Sequence, residues 1–342
     1  MRRAVVDLGS TRPVWQVPDA SVSAIRRALG RGWDVRRVAA AGVSDGDGAS
    51  PSSDAVTAAS GAEVYFGWGV SAAVVQAATG ALRWVHSAAA GVGASVTPEL
   101  LASGAVFTNS RGVHAAPIAD WAVAAVAFCA RGFHAAALAQ REGRWAKDVF
   151  TDGTVPVREL SGLTVGIIGL GGIGSAIARR CGALGMTVRA IDRRPVRRRP
   201  AGVVWVGRPR DLHKLARASD ILVIAAPHTA ETRNLVDADV LAVLPRGAYV
   251  INVSRGALLD EEALLAALDR GHVQGCVLDV FAAEPLPKDH RFWTHPRVFL
   301  TPHVSGVSER FWERQTTLIL ENIRRYRAGK RLVNIVDLHA GY

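Results

Sequence analysis

The sequence predicts an α/β protein of two domains, each built on a doubly wound parallel sheet. Three observations lead to this prediction. The chain has 342 residues, of which 49% are hydrophobic, enough to fill two cores. Short apolar strands alternate with helices along most of its length. At 164–192 a strand, a glycine-rich turn, a helix and a second strand follow one another, which is the pattern of a dinucleotide-binding unit.

The first third of the chain indicates a small parallel α/β unit. We predict strands at 3–8, 62–66, 82–87 and 105–108, and helices at 20–30, 71–78 and 98–103. The next helix, at 118–131, is apolar around most of its surface, so we expect it to be buried between domains or between subunits. Residues 132–158 show no clear period, and we expect an irregular segment there.

The glycine-rich turn is the most informative stretch. Thr164–Ile168 is apolar enough for a buried strand, and a helix follows the turn. The candidate cofactor-binding residues of the turn are Gly169, Gly171, Gly172, Ile173 and Gly174. Small residues allow a diphosphate to approach the free N–H groups at the helix N-terminus. Asp192 ends the next strand, 18 residues after Gly174, where a carboxylate can bind ribose hydroxyls. A glycine-rich turn in some other α/β protein is the alternative.

The α/β alternation continues after Asp192. We predict strands at 221–226, 248–252, 274–279 and 298–301, and helices at 238–244, 260–271 and 308–328. Ligands of such sheets bind beyond the carboxyl ends of the strands. The residues that follow these ends are therefore expected to lie close together near the cofactor. They are Pro227, Val253 and Asp279, which are further candidate cofactor-binding residues, and Arg255, Glu284 and His303.

Composition excludes several classes of protein. No uncharged apolar run reaches the length of a membrane span, and the N-terminus does not resemble a signal peptide. The three cysteines lie far apart in apolar runs, which indicates buried thiols in a reducing compartment, and we expect no metal site. The net charge of +11 rests on dispersed arginines without a nucleic-acid-binding motif. We therefore expect a cytoplasmic protein that binds neither nucleic acid nor membrane.

Four motifs resemble the D-isomer-specific 2-hydroxyacid dehydrogenase family. They are Gly169-x-Gly171-x-x-Gly174, Asn252-Val253-Ser254-Arg255-Gly256, Leu278-Asp279-Val280-Phe281-x-x-Glu284-Pro285-Leu286-Pro287, and Thr301-Pro302-His303. The resemblance runs from about Leu82 to the C-terminus. It implies a homodimer of two Rossmann-like domains: a flavodoxin-like substrate domain at 1–110 plus 307–342, and an inserted NAD-binding domain at 111–306. The C-terminal helix would return to the first domain.

The resemblance implies hydride transfer between NAD(H) and a small D-2-hydroxyacid/2-oxoacid pair, as in glyoxylate/hydroxypyruvate reductases. His303 would exchange a proton with the carbonyl oxygen, and Glu284 would hold the histidine in its charged form. Arg255 would bind the carboxylate of the oxoacid, together with the backbone N–H groups of Ala90 and Gly91. Asp279 would help bind the nicotinamide end of the cofactor.

Some choices stay open at this point. Asp192 favours NAD(H), but the adjacent Arg193 and Arg194 could receive the 2′-phosphate of NADP. The acid could be glyoxylate, hydroxypyruvate or a branched 2-oxoacid. A cofactor-sensing, corepressor-like binding protein and a dehydrogenase of formate or phosphite are the rival functions on this fold.

Departures from the family pattern leave the identity of the substrate open more than the type of reaction. The family often has an acid at the position of Gly93, a Glu at the position of Asp120, and a different sequence at 304–308. His114 is either a loop residue or a substrate-side contact. Trp145 is expected to pack, or else to enter a neighbouring subunit's pocket, and with Phe133 to be buried in a two-fold dimer.

Overall fold

A computed structural model describes residues 1–39, 51–196 and 198–338, and the chain divides into two compact units. The first unit consists of Met1–His114 and Val307–Tyr342, and the second of Ala115–Gly306. The first division between the units thus falls four residues later than the 110/111 boundary expected from the sequence. The chain therefore begins in the first unit, forms the whole of the second unit, and then returns to the first.

The first unit is a five-stranded parallel sheet in the order β2-β1-β3-β4-β5, a flavodoxin-like order. Its strands are β1 Arg2–Asp7, β2 Trp33–Arg37, β3 Val64–Gly67, β4 Trp84–Ser87 and β5 Val106–Thr108. Its helices are α1 Asp19–Leu29, α2 Ser53–Ala58, α3 Ala72–Ala77, α4 Pro98–Ser103 and the C-terminal α12 Phe311–Arg327. Apolar residues of α1 and α12 cover one face of the sheet, and those of α2, α3 and α4 cover the other.

The second unit is a seven-stranded parallel sheet in the order β12-β11-β10-β9-β6-β7-β8. Its strands are β6 Thr164–Ile168, β7 Thr187–Ile191, β8 Val203–Gly207, β9 Ile221–Ile224, β10 Ala248–Asn252, β11 Val273–Leu278 and β12 Val298–Leu300. Its helices are α5 Ala115–Ala130, α6 Phe133–Arg141, α7 Asp148–Thr151, α8 Gly172–Ala183, α9 Leu212–Arg217, α10 Ala238–Ala242 and α11 Glu261–Asp269. Helices α5 and α8 cover one face, and α9, α10 and α11 cover the other. The predicted fold class of two parallel-sheet α/β domains is therefore confirmed.

The expectation of an irregular segment at 132–158 is wrong, because α6 and α7 lie there. Gly132 adopts a left-handed conformation (φ +67°) just before α6. The helix itself contains four alanines, the residue with the highest helix propensity. A change of direction followed by a short alanine-rich helix leaves no long apolar period in the sequence.

Burial within the second unit accounts for the apolar surface of helix α5. Ala119, Ala122 and Val126 are buried, and the helix shares a core with α8 and the sheet. Burial between domains or subunits is therefore not needed for most of this helix. Among the described residues no single helix is long and apolar enough to cross a membrane, although α5 and α6 pass that test as a pair bent by 75°.

A buried polar network attaches α12 to the first sheet. Gln315 Nε2 donates to His86 Nε2 at 2.9 Å, so His86 Nδ1 carries the proton and donates to Thr108 Oγ1 at 2.9 Å. Trp84 Nε1 donates to the same hydroxyl. Burial lowers the pKa of His86 to about 3, so the ring stays neutral. The return of the chain to its first unit is thus fixed by directed hydrogen bonds as well as by apolar contact.

Candidate active site

The seven strands of the second sheet all end on one row. The paired residues in this terminal row are, in spatial order, Gly207, Ile191, Ile168, Ile224, Asn252, Leu278 and Leu300. Asp192, Gly169, Val253, Asp279 and Thr301 are the residues that immediately follow five of them. The row therefore brings the predicted cofactor-binding and catalytic segments to one edge of the sheet.

The glycine-rich turn joins β6 to α8 at this edge. A Cβ atom on Gly174 would lie 1.9 Å from the carbonyl oxygen of Gly169, so packing of the helix on the turn excludes any larger residue. A Cβ on Gly171 would meet nothing within 4 Å, so the chain's own packing does not require glycine there. Gly172 and Ile173 begin α8, whose first turn has no side-chain cap among the described residues. Open space above free N–H groups at a helix N-terminus fits a bound diphosphate.

Asp192 lies beside this turn at the end of β7. Its Oδ2 accepts a hydrogen bond from the Leu170 N–H and its Oδ1 from the Arg194 N–H, both at 2.8 Å. The carboxylate is thus held against the turn, and each oxygen keeps a lone pair for a further donor. The Arg193 and Arg194 side chains are exposed, and Arg193 pairs with Glu231.

The Arg255 loop follows β10 and is held by a buried amide. Asn252 is fully buried; its Nδ2 donates to the Arg255 carbonyl at 3.0 Å, and its Oδ1 accepts from the Ser254 N–H at 3.0 Å. The Ser254 hydroxyl donates to the carbonyl of Ala226. Arg255 is half-buried, and its Nη1 donates to the Ser254 carbonyl. The backbone that carries this guanidinium is therefore fixed from both sides.

Gly256 allows the Arg255 loop to approach the loop that carries Glu284. A Cβ on Gly256 would lie 1.8 Å from the carbonyl carbon of Phe281 and 2.2 Å from the nitrogen of Ala282. The two loops are thus in backbone contact at this position. Glycine here is a requirement of packing between the two loops.

Glu284 and His303 form a close acid–base pair. Glu284 Oε2 accepts a hydrogen bond from His303 Nδ1 at 2.7 Å, and Oε1 accepts from the Phe281 N–H at 2.9 Å. The side chains are 34% and 40% exposed, so both remain accessible to a ligand. Because Nδ1 is bound to Glu284, Nε2 is the nitrogen left for a substrate.

The two pKa values move in opposite directions. The hydrogen bond to Glu284 raises the pKa of His303 above its ordinary value, against burial and the Arg255 charge, which lower it. Burial raises the pKa of Glu284, but hydrogen bonds from His303 and Phe281 outweigh it and leave the pKa below its ordinary value. The pair therefore favours a charged imidazole beside an ionised carboxylate.

Asp279 follows β11 and is fully buried. Its carboxylate accepts from the Thr301 hydroxyl and from the N–H groups of Val304 and Ser305. It therefore binds the segment around His303, a set of contacts that the motif alone did not reveal. Its expected contact with the nicotinamide end of the cofactor stays a prediction.

The remaining predicted residues have mixed environments. Pro227 is exposed three residues beyond the end of β9, while Val253 is buried. Ala90 and Gly91 belong to the first unit, and among the described residues no hydrogen bond occupies their N–H groups. Their role in binding a carboxylate stays a prediction.

His114 and Trp145 differ sharply in packing. His114 stacks on Phe311, with ring centroids 5.2 Å apart, and lies edge-on to Trp15. Trp145 is 94% exposed, so it does not pack within its own chain. No group of three or more metal-ligating side chains comes together in the described part of the chain.

Comparison with known proteins identifies the family. Residues 123–305 match the D-isomer specific 2-hydroxyacid dehydrogenase, NAD binding domain. The chain belongs to this family. A glyoxylate/hydroxypyruvate reductase A of Yersinia enterocolitica is 37% identical over 179 residues, which are 52% of this chain and 56% of that protein. The matched part of the chain thus spans little more than half the length of that relative.

Solved structures of this 2-hydroxyacid dehydrogenase fold match the whole chain. A D-isomer specific 2-hydroxyacid dehydrogenase from Xanthobacter autotrophicus, in complex with NADPH and MES, has 31% sequence identity and a TM-score of 0.79, covering 100% of this chain and 99% of its own. An NADPH-dependent glyoxylate/hydroxypyruvate reductase from Sinorhizobium meliloti, in complex with NADP and sulfate, has 26% identity and a TM-score of 0.78, with both chains fully covered. The fold and the nicotinamide-binding domain are therefore those of the family.

The contact at Gly256 gives a first testable prediction. Gly256→Ala should separate the Arg255 and Glu284 loops and lower the free energy of unfolding by about 1–3 kcal/mol, the usual cost of overpacking. Denaturant unfolding measures the loss. Gly32→Ala, where a Cβ meets open space, should leave the unfolding midpoint unchanged; an equal loss in both variants would contradict the specific contact at Gly256.

Proposed function

We propose that the protein reduces a small 2-oxoacid to the D-2-hydroxyacid with a reduced nicotinamide cofactor, and catalyses the reverse oxidation. The observation that carries this proposal is the Glu284–His303 pair at 2.7 Å, on the same sheet edge as the Arg255 loop and the glycine-rich turn. An acid–base pair, a fixed cation and a dinucleotide cradle are the parts that this reaction needs.

His303 acts as the general acid of reduction. When bound, NAD(P)H supplies the hydride that reaches the carbonyl carbon. Negative charge then develops on the carbonyl oxygen, and the protonated His303 donates from Nε2. Glu284, bound at Nδ1, keeps the imidazole oriented and stabilises its positive charge. In oxidation the neutral imidazole accepts the proton of the hydroxyl group.

Arg255 binds and orients the substrate carboxylate. A planar guanidinium can donate two parallel hydrogen bonds to a carboxylate, which fixes the carbonyl carbon for attack. The Asn252 amide holds the Arg255 backbone and thereby limits movement of this cation. A fixed cation of this kind suits a 2-oxoacid.

Small 2-oxoacids are the proposed substrates, with glyoxylate and hydroxypyruvate first, since relatives carry the name glyoxylate/hydroxypyruvate reductase. A corepressor-like binding protein would not need the proton relay that this structure retains in close geometry. The test is a panel of 2-oxoacids, with formate and phosphite as alternative donors. Turnover of formate or phosphite without turnover of any 2-oxoacid would replace the proposal by its rival.

The proton relay predicts the pH dependence of turnover. The pKa of His303 is raised, so the acid needed for reduction persists above the ordinary histidine pKa of about 6.5. The kcat/KM for reduction should fall as pH rises through this raised pKa, and that for oxidation should rise. His303→Gln should lose on the order of 10²–10⁴ in kcat, the usual contribution of a positioned general acid.

The Glu284→Gln variant tests whether Glu284 controls the protonation of His303 or whether the histidine acts alone. A neutral amide no longer stabilises the imidazolium, so the descending limb of reduction should move to lower pH. The measurement is kcat/KM for reduction between about pH 5 and 10. A limb at the same pH in wild type and Glu284→Gln would show that Glu284 does not control the proton on His303.

The cofactor preference is a separate prediction. Asp192 is held against the glycine-rich turn, where its charge repels a 2′-phosphate, so kcat/KM should be higher with NADH than with NADPH. The opposing features are the exposed Arg193 and Arg194, and the solved relatives that hold NADPH or NADP. A higher kcat/KM with NADPH would show that the arginines outweigh Asp192.

A second copy of the chain is the proposed partner. Phe133 is 53% exposed, and Phe128 links it to the exposed Phe299 through ring centroids 6.3 and 4.6 Å apart. Together with the exposed Trp145, these rings offer apolar surface that a two-fold contact would bury. We place this dimer in the cytoplasm, in keeping with three buried free cysteines.

Sedimentation velocity at micromolar concentration should therefore show a dimer. Phe133→Asp should shift it to monomer, because a charge cannot be buried unpaired at an apolar contact. Val204→Asp is the matched control, since Val204 is equally exposed (53%) on β8. A wild-type monomer, or dissociation by the control variant as well, would refute the proposed contact.

A further inference from the structure

We infer that Asp279 and Thr301 form a clamp that fixes the backbone of His303 and so holds its imidazole against Glu284. The inference rests on the proposed function for its catalytic consequence. In this role Asp279 and Thr301 are positioning residues, which act on the reaction through His303. The clamp consists of these two side chains and the hydrogen bonds that the Asp279 carboxylate accepts.

His303 needs such a device because of its backbone conformation. Its φ is +53°, in the left-handed region that residues other than glycine rarely adopt. This conformation persists only where surrounding contacts hold it. Its side chain is 40% exposed, so side-chain packing alone is a weak restraint. The restraint has to come from the backbone on either side.

The clamp supplies hydrogen bonds on both sides of His303. Before it in the chain, the Thr301 hydroxyl donates to Asp279 Oδ1. After it, Val304 N–H donates to Oδ1 and Ser305 N–H to Oδ2, both at 2.9 Å. The His303 N–H itself donates to the main-chain carbonyl of Asp279 at 2.9 Å. A turn anchored at three successive positions by one residue has little freedom to rotate.

The anchor is itself immobile. Asp279 directly follows β11 and is fully buried, and its N–H donates to the carbonyl of Asn252 at 3.1 Å. Thr301 directly follows β12, whose last residue pairs with the last residue of β11. Both members of the clamp are therefore attached to the terminal row of the sheet. The backbone position of His303 is therefore set by the ends of β11 and β12.

A carboxylate suits this position better than an amide. Three donors converge on Asp279, and an ionised carboxylate has only acceptor sites, about four in number. An asparagine would turn an NH₂ group toward at least one of these donors. Asp279→Asn should therefore release part of the turn without changing the volume of the side chain.

The sharpest test compares two substitutions of Thr301. Thr301→Val keeps the shape but removes the hydroxyl donor, whereas Thr301→Ser keeps the donor. One lost hydrogen bond should lower kcat for 2-oxoacid reduction roughly 3- to 10-fold in Thr301→Val, and Thr301→Ser should recover most of it. Asp279→Asn should cost roughly 10²-fold, the scale of a 1 Å misplacement. Thr294→Val, at an exposed position, is the matched control.

Two further readouts separate positioning from other roles. The pKa of His303, followed by NMR titration of its ring protons, should fall toward its ordinary value in Thr301→Val, because the ring no longer rests against Glu284. It should also fall in Asp279→Asn, where loss of the Asp279 charge, which itself raises the pKa of His303, adds to the effect. The Kd for the reduced cofactor, measured by fluorescence, should stay within about 3-fold of wild type in Thr301→Val, since Thr301 acts through the backbone of His303.

A weaker cofactor Kd in Asp279→Asn, with wild-type kcat and His303 pKa in Thr301→Val, would overturn the clamp and leave Asp279 as a cofactor ligand. If Asp279→Asn fails to fold, the Thr301→Val and Thr301→Ser pair still decides the question. If the wild type turns over no 2-oxoacid, the proposed function fails, while the difference in His303 pKa between the Thr301 variants still tests the clamp.

Discussion

The common ending of seven parallel strands is the constraint on which the candidate site depends. Because the register places Asn252, Leu278 and Leu300 side by side, the three loops that follow begin at the same level of the sheet. Each loop then needs only a short path to bring Arg255, Glu284 or His303 to one edge. A slip of one residue in any of these pairings would reverse the facing of every side chain in that strand. Precision of the site therefore comes from sheet register.

The sequence contained enough to predict the fold class and to nominate the chemical groups. Buried strands such as β6, β9 and β10 are continuous apolar runs and could be predicted. The strands without a prediction, β2 and β8, lie at sheet edges. Three of the five residues of β2 (WDVRR) are charged, so it contains no apolar run. β8 (VVWVG) is an apolar run and could have been predicted from the same pattern as β6.

In the candidate site, too, the sequence could nominate some residues but could not predict the contacts that hold them. Glu284 and His303 could be nominated from motifs, and the structure places them 2.7 Å apart. The contacts of Asp279 could not be predicted, because they depend on a left-handed residue and on N–H groups 25 and 26 residues away. Trp145 was expected either to pack or to enter a neighbouring subunit's pocket, and it lies 94% exposed on its own chain. A single sequence does not show which aromatic side chains enter the core. The sequence therefore predicted which side chains carry the chemistry, but it did not predict the backbone contacts that position them.

The return of α12 to the first unit sets an order for biosynthesis. The second unit, Ala115–Gly306, is continuous and can fold as soon as it leaves the ribosome. The first unit cannot, because Phe311, Ile319 and Ile323 of its core are made last. At ordinary rates of translation the β1–β5 half waits roughly 10–40 s with one apolar face uncovered. During that interval the nascent chain is most open to aggregation and to capture by chaperones, so truncation before α12 harms the first unit more than the second.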